Sequence, residues 1–314
     1  MHAAVVRKAG QGPSYEEFPE PVAAAGDVCI AVTAAAISPV ARSRAAGTHY
    51  SIANAFPFVA GIDGVGRRDD GRRVYFANPR APFGSMAERT VAPAGLCIPL
   101  PDALDDVTAA AIANPGMSSW MAYTARARLK AGETVLINGA TGTAGRLAVQ
   151  IARHMGAGKI VVTGRNAEAL QALSADVTIA LAADDAALTE SFEAQFAAGI
   201  DVVIDYLWGR SAEHLLAAAR AGADGRAIRF VQLGAASGAD ITLPSAVLRS
   251  APLELMGGGL GSVALDGLAA AIGELFAAAA ASGFTIATET VPLARVAQAW
   301  TATGSTARIV LTPM

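Results

Sequence analysis

The 314-residue sequence predicts an α/β protein in two parts, a mostly β part followed by one built on a doubly wound parallel sheet. Three observations carry that expectation. Eleven of the fifteen prolines fall in residues 1–115 and none between 116 and 243. Proline interrupts helices and interior strands, so the shift marks a boundary. Before it, short strand-like runs are separated by turn residues; after it, apolar runs alternate with segments of helical period. The length also favours two cores over one.

In the first part, strands are expected at HAAVVRK, DVCIAVTAAAI, RRVYFAN and MAERTVAP, with GIDGVG (Gly61 to Gly66) and RRDDGRR as turns. From about Ser118, the runs TVLI, KIVVT, DVVID, RFVQLG and LELMGG alternate with helices, which makes βαβ units and a parallel sheet. An alanine-rich helix follows Gly259, then FTIATETVPL, a helix at ARVAQAWTAT and a last strand at ARIVLT.

Composition narrows the function. Hydrophobic residues are 53% of the chain and charged ones 16%, enough for large cores, and a net charge of −3 argues against a dedicated nucleic-acid binder. The run Leu268 to Phe284 is broken by Glu274 and two glycines, short of the roughly 20 apolar residues of a membrane span. MHAAVVRKAG lacks the apolar core of a signal peptide, so a cytoplasmic location is expected. Cys29 and Cys97 lie in strand-like runs and read as buried small hydrophobes rather than a disulfide or redox pair.

The stretch VLINGATGTAGRLAVQIARHMGAGKIVVTGRN (Val135 to Asn166) carries the strongest chemical signal. A buried strand is followed by Gly139, Gly142 and Gly145, and then by a helix with Leu147, Ala148, Ile151, Ala152 and Met155 on one face. Glycine lets the backbone turn tightly and approach a pyrophosphate, which the free N–H groups of Thr143, Ala144 and the helix start then face, with Thr141 in the turn. The bland alternative is a tight strand-to-helix turn with no ligand. The second strand ends in Gly164-Arg165-Asn166, where an NAD site carries Asp or Glu for the ribose 2′-hydroxyl. A guanidinium can instead grip a 2′-phosphate, so NADP(H) is the expected cofactor; the alternative is that Arg165 is a solvated loop charge.

The order of these motifs over the whole chain, with PFVAGIDGVG, ANPGMSSWMAY, DVVIDYLWG, VQLGAASG and ARIVLTP, resembles the medium-chain dehydrogenase/reductase superfamily. It is most similar to the zinc-free NADPH:quinone oxidoreductase branch related to zeta-crystallin. The resemblance implies a GroES-like catalytic domain from residues 1–115 and 264–314 around a Rossmann domain at 116–263. Where zinc-bearing members place His and Glu, this chain has Ile62 and Asp63, and neither cysteine lies in a cluster, so no metal is expected. The branch's NPVD and R-S-G-x-Y runs correspond to SPVARSRAAGTHY, with Ser38 in the Asn place, Ala41 in the Asp place, and His49 or Tyr50 as the aromatic.

By the same resemblance, cofactor contacts are expected at Ser118, Asp205, Tyr206, Gly234, Ala235, Met256 and Gly257, and candidate catalytic groups at Tyr50 and Ser38. Ser118 could instead N-cap the helix before WMAY, the other cofactor contacts could be ordinary strand-end packing, Tyr50 could be a packing aromatic with an exposed hydroxyl, and His49 a surface loop residue. The implied activity is hydride transfer from NADPH to a quinone or an α,β-unsaturated carbonyl compound, with proton delivery from Tyr50 or water. The alternatives are an enoyl or alkenal double-bond reductase and a catalytically silent NADP(H)-binding sensor. A homodimer paired through PLELMGGGL is expected.

Overall fold

The computed structural model describes residues 1–48, 56–182, 184–222, 225–259, 262, 265–302 and 307–313. The chain begins β1 (His2–Val6), β2 (Ser14–Glu17), β3 (Asp27–Ala36), α1 (Pro39–Ala46), β4 (Phe58–Val59), β5 (Asp63–Arg68), β6 (Arg73–Ala77), β7 (Arg89–Pro93) and β8 (Cys97–Pro99). Helix α2 (Asp106–Met121) leads to β9 (Thr134–Asn138), α3 (Thr143–His154), β10 (Lys159–Gly164), α4 (Ala167–Gln171), β11 (Val177–Ala180) and α5 (Asp185–Ala197). Next come β12 (Val202–Asp205), α6 (Gly209–Ala218), β13 (Ile228–Gln232), α7 (Ser245–Ser250) and β14 (Leu253–Gly257). The chain closes with α8 (Leu265–Ser282), β15 (Thr288–Pro292), α9 (Val296–Thr301) and β16 (Arg308–Thr312). It divides into two units, Met1–Asn114 with Ile272–Met314, and Pro115–Ala271, and the divisions fall inside α2 and α8.

The first unit is mostly β. It holds a three-stranded sheet in the order β2-β1-β4 and a seven-stranded sheet in the order β15-β16-β3-β5-β6-β8, with β7 also paired to β3. The C-terminal strand β16 pairs antiparallel with β3, so residues from both chain ends share one core of Ile30, Val32, Phe76, Val296, Trp300 and Leu311.

One expectation is corrected here. GIDGVG is a turn only at its start, where Gly61 has φ +96°: Asp63–Arg68 forms β5, an interior strand paired with β3 and β6. Gly64 and Gly66 reflect close approach rather than a bend, because a Cβ on Gly66 would lie 2.3 Å from the Ala31 carbonyl oxygen, and one on Gly64 2.9 Å from that of Ala34. Asp63 is buried at the start of this strand and accepts a 2.9 Å hydrogen bond from the Tyr75 hydroxyl. Burial raises the Asp63 carboxyl above its ordinary value, and the positive charge of buried Arg308 offsets part of that.

The second unit holds a six-stranded, wholly parallel sheet in the order β11-β10-β9-β12-β13-β14. Residues Val135–Asn138, Ile160–Gly164 and Val202–Asp205 are all buried, as strands covered by helices on both faces require. Leu136, Val161, Val203 and Phe230 of the sheet pack with Phe192 and Phe196 of α5 and Leu215 of α6. A buried side chain of this size contributes about 1.5–3 kcal/mol. The strand β11, VTIA, adds a sixth member to the five runs expected.

Candidate functional site

The strand order places β9 and β12 side by side with the chain winding outward from β9 in both directions. Ligands of open parallel sheets bind where the order reverses, at the carboxyl ends of the strands. Those ends are Asn138 and Asp205, partners in register.

Both are buried, and they form one polar network. The Asn138 amide donates to Asp205 Oδ1 at 2.8 Å and to the Ser211 hydroxyl at 3.0 Å. The Thr163 hydroxyl at the end of β10 donates to Asn138 Oδ1 at 2.6 Å and accepts the Gly139 N–H at 3.1 Å. Asp205 also accepts the N–H groups of Leu207 at 2.9 Å and Trp208 at 3.1 Å. Burial raises the Asp205 carboxyl, and the Leu207, Asn138 and Trp208 donors pull it partly back. Three strand ends are thereby tied together directly beneath the glycine turn. Sequence reasoning missed Asn138, Thr163 and Ser211; the available signal is a polar residue closing a buried apolar run.

The turn itself needs its glycines. Gly139 has φ +90°, and a Cβ there would stand 2.8 Å from Leu207 Cγ. At Gly145 a Cβ would lie 2.5 Å from both Ala140 Cα and the Gly139 carbonyl oxygen, so α3 can seat this closely only on glycine. Gly142 is the N-cap and offers no side chain to the helix start. The Arg146 N–H makes the first helical bond, to Gly142 O at 2.9 Å. The N–H groups of Thr143, Ala144 and Gly145 have no acceptor among the described residues, and they carry the positive end of the α3 dipole. Such an array binds an anion.

At the end of β10, a Cβ on Gly164 would stand 2.7 Å from Thr141 Cγ2, which brings the second strand end against the turn. Arg165 is exposed and has no hydrogen bond or ion pair among the described residues. Asn166 caps α4 through its Oδ1, which accepts the Ala169 N–H at 3.0 Å. The first acid beyond β10 is Glu168, within α4.

The other expected residues separate into two groups. Gly234 and Ala235 follow β13, and Met256 and Gly257 end β14, so they share the carboxyl edge of the sheet. Gly234 lies so close to the preceding loop that a Cβ would be 2.6 Å from the Tyr206 carbonyl oxygen. Asp205 and Tyr206 instead turn their side chains into the protein. The Tyr206 hydroxyl lies 2.7 Å from the Ser119 hydroxyl, which also reaches Pro115 O at 3.0 Å and Ala144 O at 3.4 Å. Burial raises the Tyr206 phenol well above its ordinary value. Ser118 does not open a helix: it sits near the end of α2, which runs on through Pro115, and its hydroxyl donates to Pro115 O at 2.9 Å.

In the first unit, Ser38 is buried and N-caps α1, accepting the Ala41 N–H at 3.0 Å. His49 and Tyr50 lie outside the described residues. Among the described residues, no three His, Cys, Asp or Glu side chains come together in a metal-binding group, and both cysteines are free and half-buried.

No protein-family model matches the chain. A relative from Emericella nidulans named "Probable NADPH-dependent quinone reductase" is 28% identical over 96% of each chain. The quinone oxidoreductase of Thermus thermophilus, whose structure is also known with NADPH, is 27% identical and superposes with a TM-score of 0.80 over 99% of this chain and 100% of that one. A mycobacterial quinone oxidoreductase, 23% identical, shares the fold with a TM-score of 0.87 over the full length of both. Homologues and structural neighbours of the chain thus include NADPH-dependent quinone oxidoreductases of the medium-chain dehydrogenase/reductase family, zeta-crystallin-like in type.

Proposed function

From this homology to the zeta-crystallin-like quinone oxidoreductases, we propose that the chain is an NADPH-dependent oxidoreductase. It passes hydride to a quinone or a related α,β-unsaturated carbonyl compound without zinc. The single observation that carries the cofactor assignment is the pairing of an anion-ready glycine turn with a β10 end that has unpaired Arg165 and no carboxylate. A carboxylate there would repel a 2′-phosphate, and a guanidinium attracts it.

Bound NADPH supplies the hydride, and the protein supplies position and electrostatics. The amides of Thr143, Ala144 and Gly145 hold the pyrophosphate; Arg165 holds the 2′-phosphate. The Asn138–Thr163–Asp205 network fixes the turn that presents them, and Gly234, Ala235, Met256 and Gly257, at the carboxyl ends of β13 and β14, would flank the nicotinamide half. Ile62 and Asp63 in the places of a zinc-binding His–Glu pair support a metal-free reaction. A quinone accepts hydride without a strong protein acid, so water or Tyr50 suffices for the proton. Two free thiols accord with a reducing, cytoplasmic location. Edge strand β14, with Leu255 and the nearby Leu248 exposed, supports a homodimer.

The test is a titration with both dinucleotides. Wild-type protein binds NADPH more tightly than NADH, Arg165→Ala weakens NADPH by about ten- to a hundredfold with NADH unchanged, and Arg165→Asp reverses the order. Equal binding of the two cofactors by the wild type overturns the assignment. Single-turnover oxidation of NADPH across quinones, enones and aldehydes then identifies the acceptor, and tight binding without oxidation by any of them removes the catalytic reading.

A further inference from the structure

Arg146 occupies the first turn of α3, where the free amides already concentrate positive charge and a cation is disfavoured. The side chain is half-buried and fixed in place, its Nε donating to the Thr141 carbonyl at 3.0 Å. That bond uses one edge of the guanidinium. Its two terminal nitrogens have no hydrogen-bond acceptor or carboxylate partner among the described residues. Thr141 is also the residue whose methyl group lies against Gly164, immediately before the equally unpaired Arg165. Thr141 thus joins the anchored guanidinium of Arg146 to the strand end that carries Arg165. Neither guanidinium has a counter-charge among the described residues, and a multiply charged anion would supply one.

We propose that Arg146 is a second specificity-determining residue, gripping the 2′-phosphate of NADPH together with Arg165. The inference rests on the NADPH reading above and adds to it a residue outside the strand end that ordinarily decides the cofactor. The pyrophosphate has its own donors in the amides of Thr143, Ala144 and Gly145, whereas Arg146 is anchored to Thr141, on the side of the turn that meets β10. A forked guanidinium held at its Nε presents its remaining donors in a fixed direction, which suits a phosphate dianion better than a mobile ammonium.

Isothermal titration of wild type, Arg146→Ala and Arg146→Lys with NADPH, NADH and 2′,5′-ADP decides the matter without reference to activity. Arg146→Ala is expected to weaken NADPH and 2′,5′-ADP by about tenfold, with NADH changed by less than about twofold. Arg146→Lys keeps charge without the fork and recovers part of the loss. Combined with Arg165→Ala, the effects on NADPH are expected to be non-additive, because both side chains act on one group. If Arg146→Ala weakens NADH and NADPH equally, Arg146 only braces the turn or touches the pyrophosphate, and the proposal is overturned. Wild type that prefers NADPH while Arg146→Ala binds it unchanged overturns this inference alone; wild type with no preference sinks the NADPH reading as well.

Discussion

Replacing Gly145 by alanine tests the glycine turn as a device for holding a pyrophosphate. The added Cβ would lie 2.5 Å from Ala140 Cα and from the Gly139 carbonyl oxygen, where ordinary contact begins at 3.4 Å. Both obstacles are backbone, so α3 itself must withdraw by 3.4 − 2.5 = 0.9 Å. A donor set at about 2.9 Å from a phosphate oxygen then stands near 3.8 Å, outside hydrogen-bonding range. Each hydrogen bond to a charged group is worth about 1.5–3 kcal/mol, so losing two of the three amides lowers affinity by roughly a hundredfold or more. Stability changes far less: overpacking costs about 1–3 kcal/mol, and alanine recovers up to about 1 kcal/mol of helix propensity. The expected result is a folded protein, by urea denaturation, that binds NADPH and NADH equally poorly in a calorimetric titration. The joint loss would separate this site from Arg165, whose removal is expected to affect NADPH alone. Unchanged affinity in a stably folded Gly145→Ala protein would refute the assignment of these amides to the pyrophosphate.

Four further outcomes are expected. Asp205→Leu, which strands the Asn138, Leu207 and Trp208 donors, destabilises by about 3–5 kcal/mol, whereas Asp205→Asn keeps an acceptor and costs much less; chemical denaturation measures both. Asp63 holds its proton more tightly folded than unfolded, so its ionisation subtracts stability as pH rises from the ordinary carboxylate value of 3.8 through the raised one. The stability of Asp63→Asn relative to wild type therefore increases across that acidic window in urea titrations, and a pH-independent difference contradicts the assignment. Leu255→Lys on the exposed edge of β14 yields a monomer in analytical ultracentrifugation, and a wild type that is already monomeric at micromolar concentration disposes of the edge-paired dimer. Chelator treatment leaves activity intact, and loss restored by zinc would contradict a metal-free reaction.

The parallel sheet is legible because β9, β10 and β12 are buried on both faces, and such strands read as unbroken apolar runs between glycine-rich turns. β11 is not, because VTIA is short and only Ile179 is fully buried. In the first unit, β5 is hidden by the very residues that let it form. Gly64 and Gly66 resemble turn formers in isolation, but they are needed where the β3 backbone comes too near for a Cβ, which only the paired strand reveals. Helix α1 is hidden for a related reason: Ser38, Pro39 and Gly47 supply its cap, first residue and left-handed end, but read singly they suggest a loop.

The site divides along the same physical line. A glycine turn is a property of the local backbone, so its spacing shows in the sequence, as does Arg165 at the end of the following strand. The network beneath the turn is not local: Asn138 meets Asp205 across 67 positions and Thr163 across 25, and nothing in either neighbourhood records the pairing. This changes what a strand-end residue should be expected to do. Asp205 stands where a ligand-binding carboxylate would, yet its oxygens are taken by Asn138, Leu207 and Trp208, and the Tyr206 hydroxyl is turned to Ser119, which reaches the first turn of α3 at Ala144. Under the proposed function, these side chains would act on the cofactor through the backbone they hold. Tyr206→Phe should therefore reduce the affinity for NADPH and NADH by the same factor, whereas a residue in contact with the 2′-phosphate discriminates between them. A Tyr206→Phe variant that weakened NADPH alone would place its hydroxyl at the phosphate, against the geometry that joins it to Ser119.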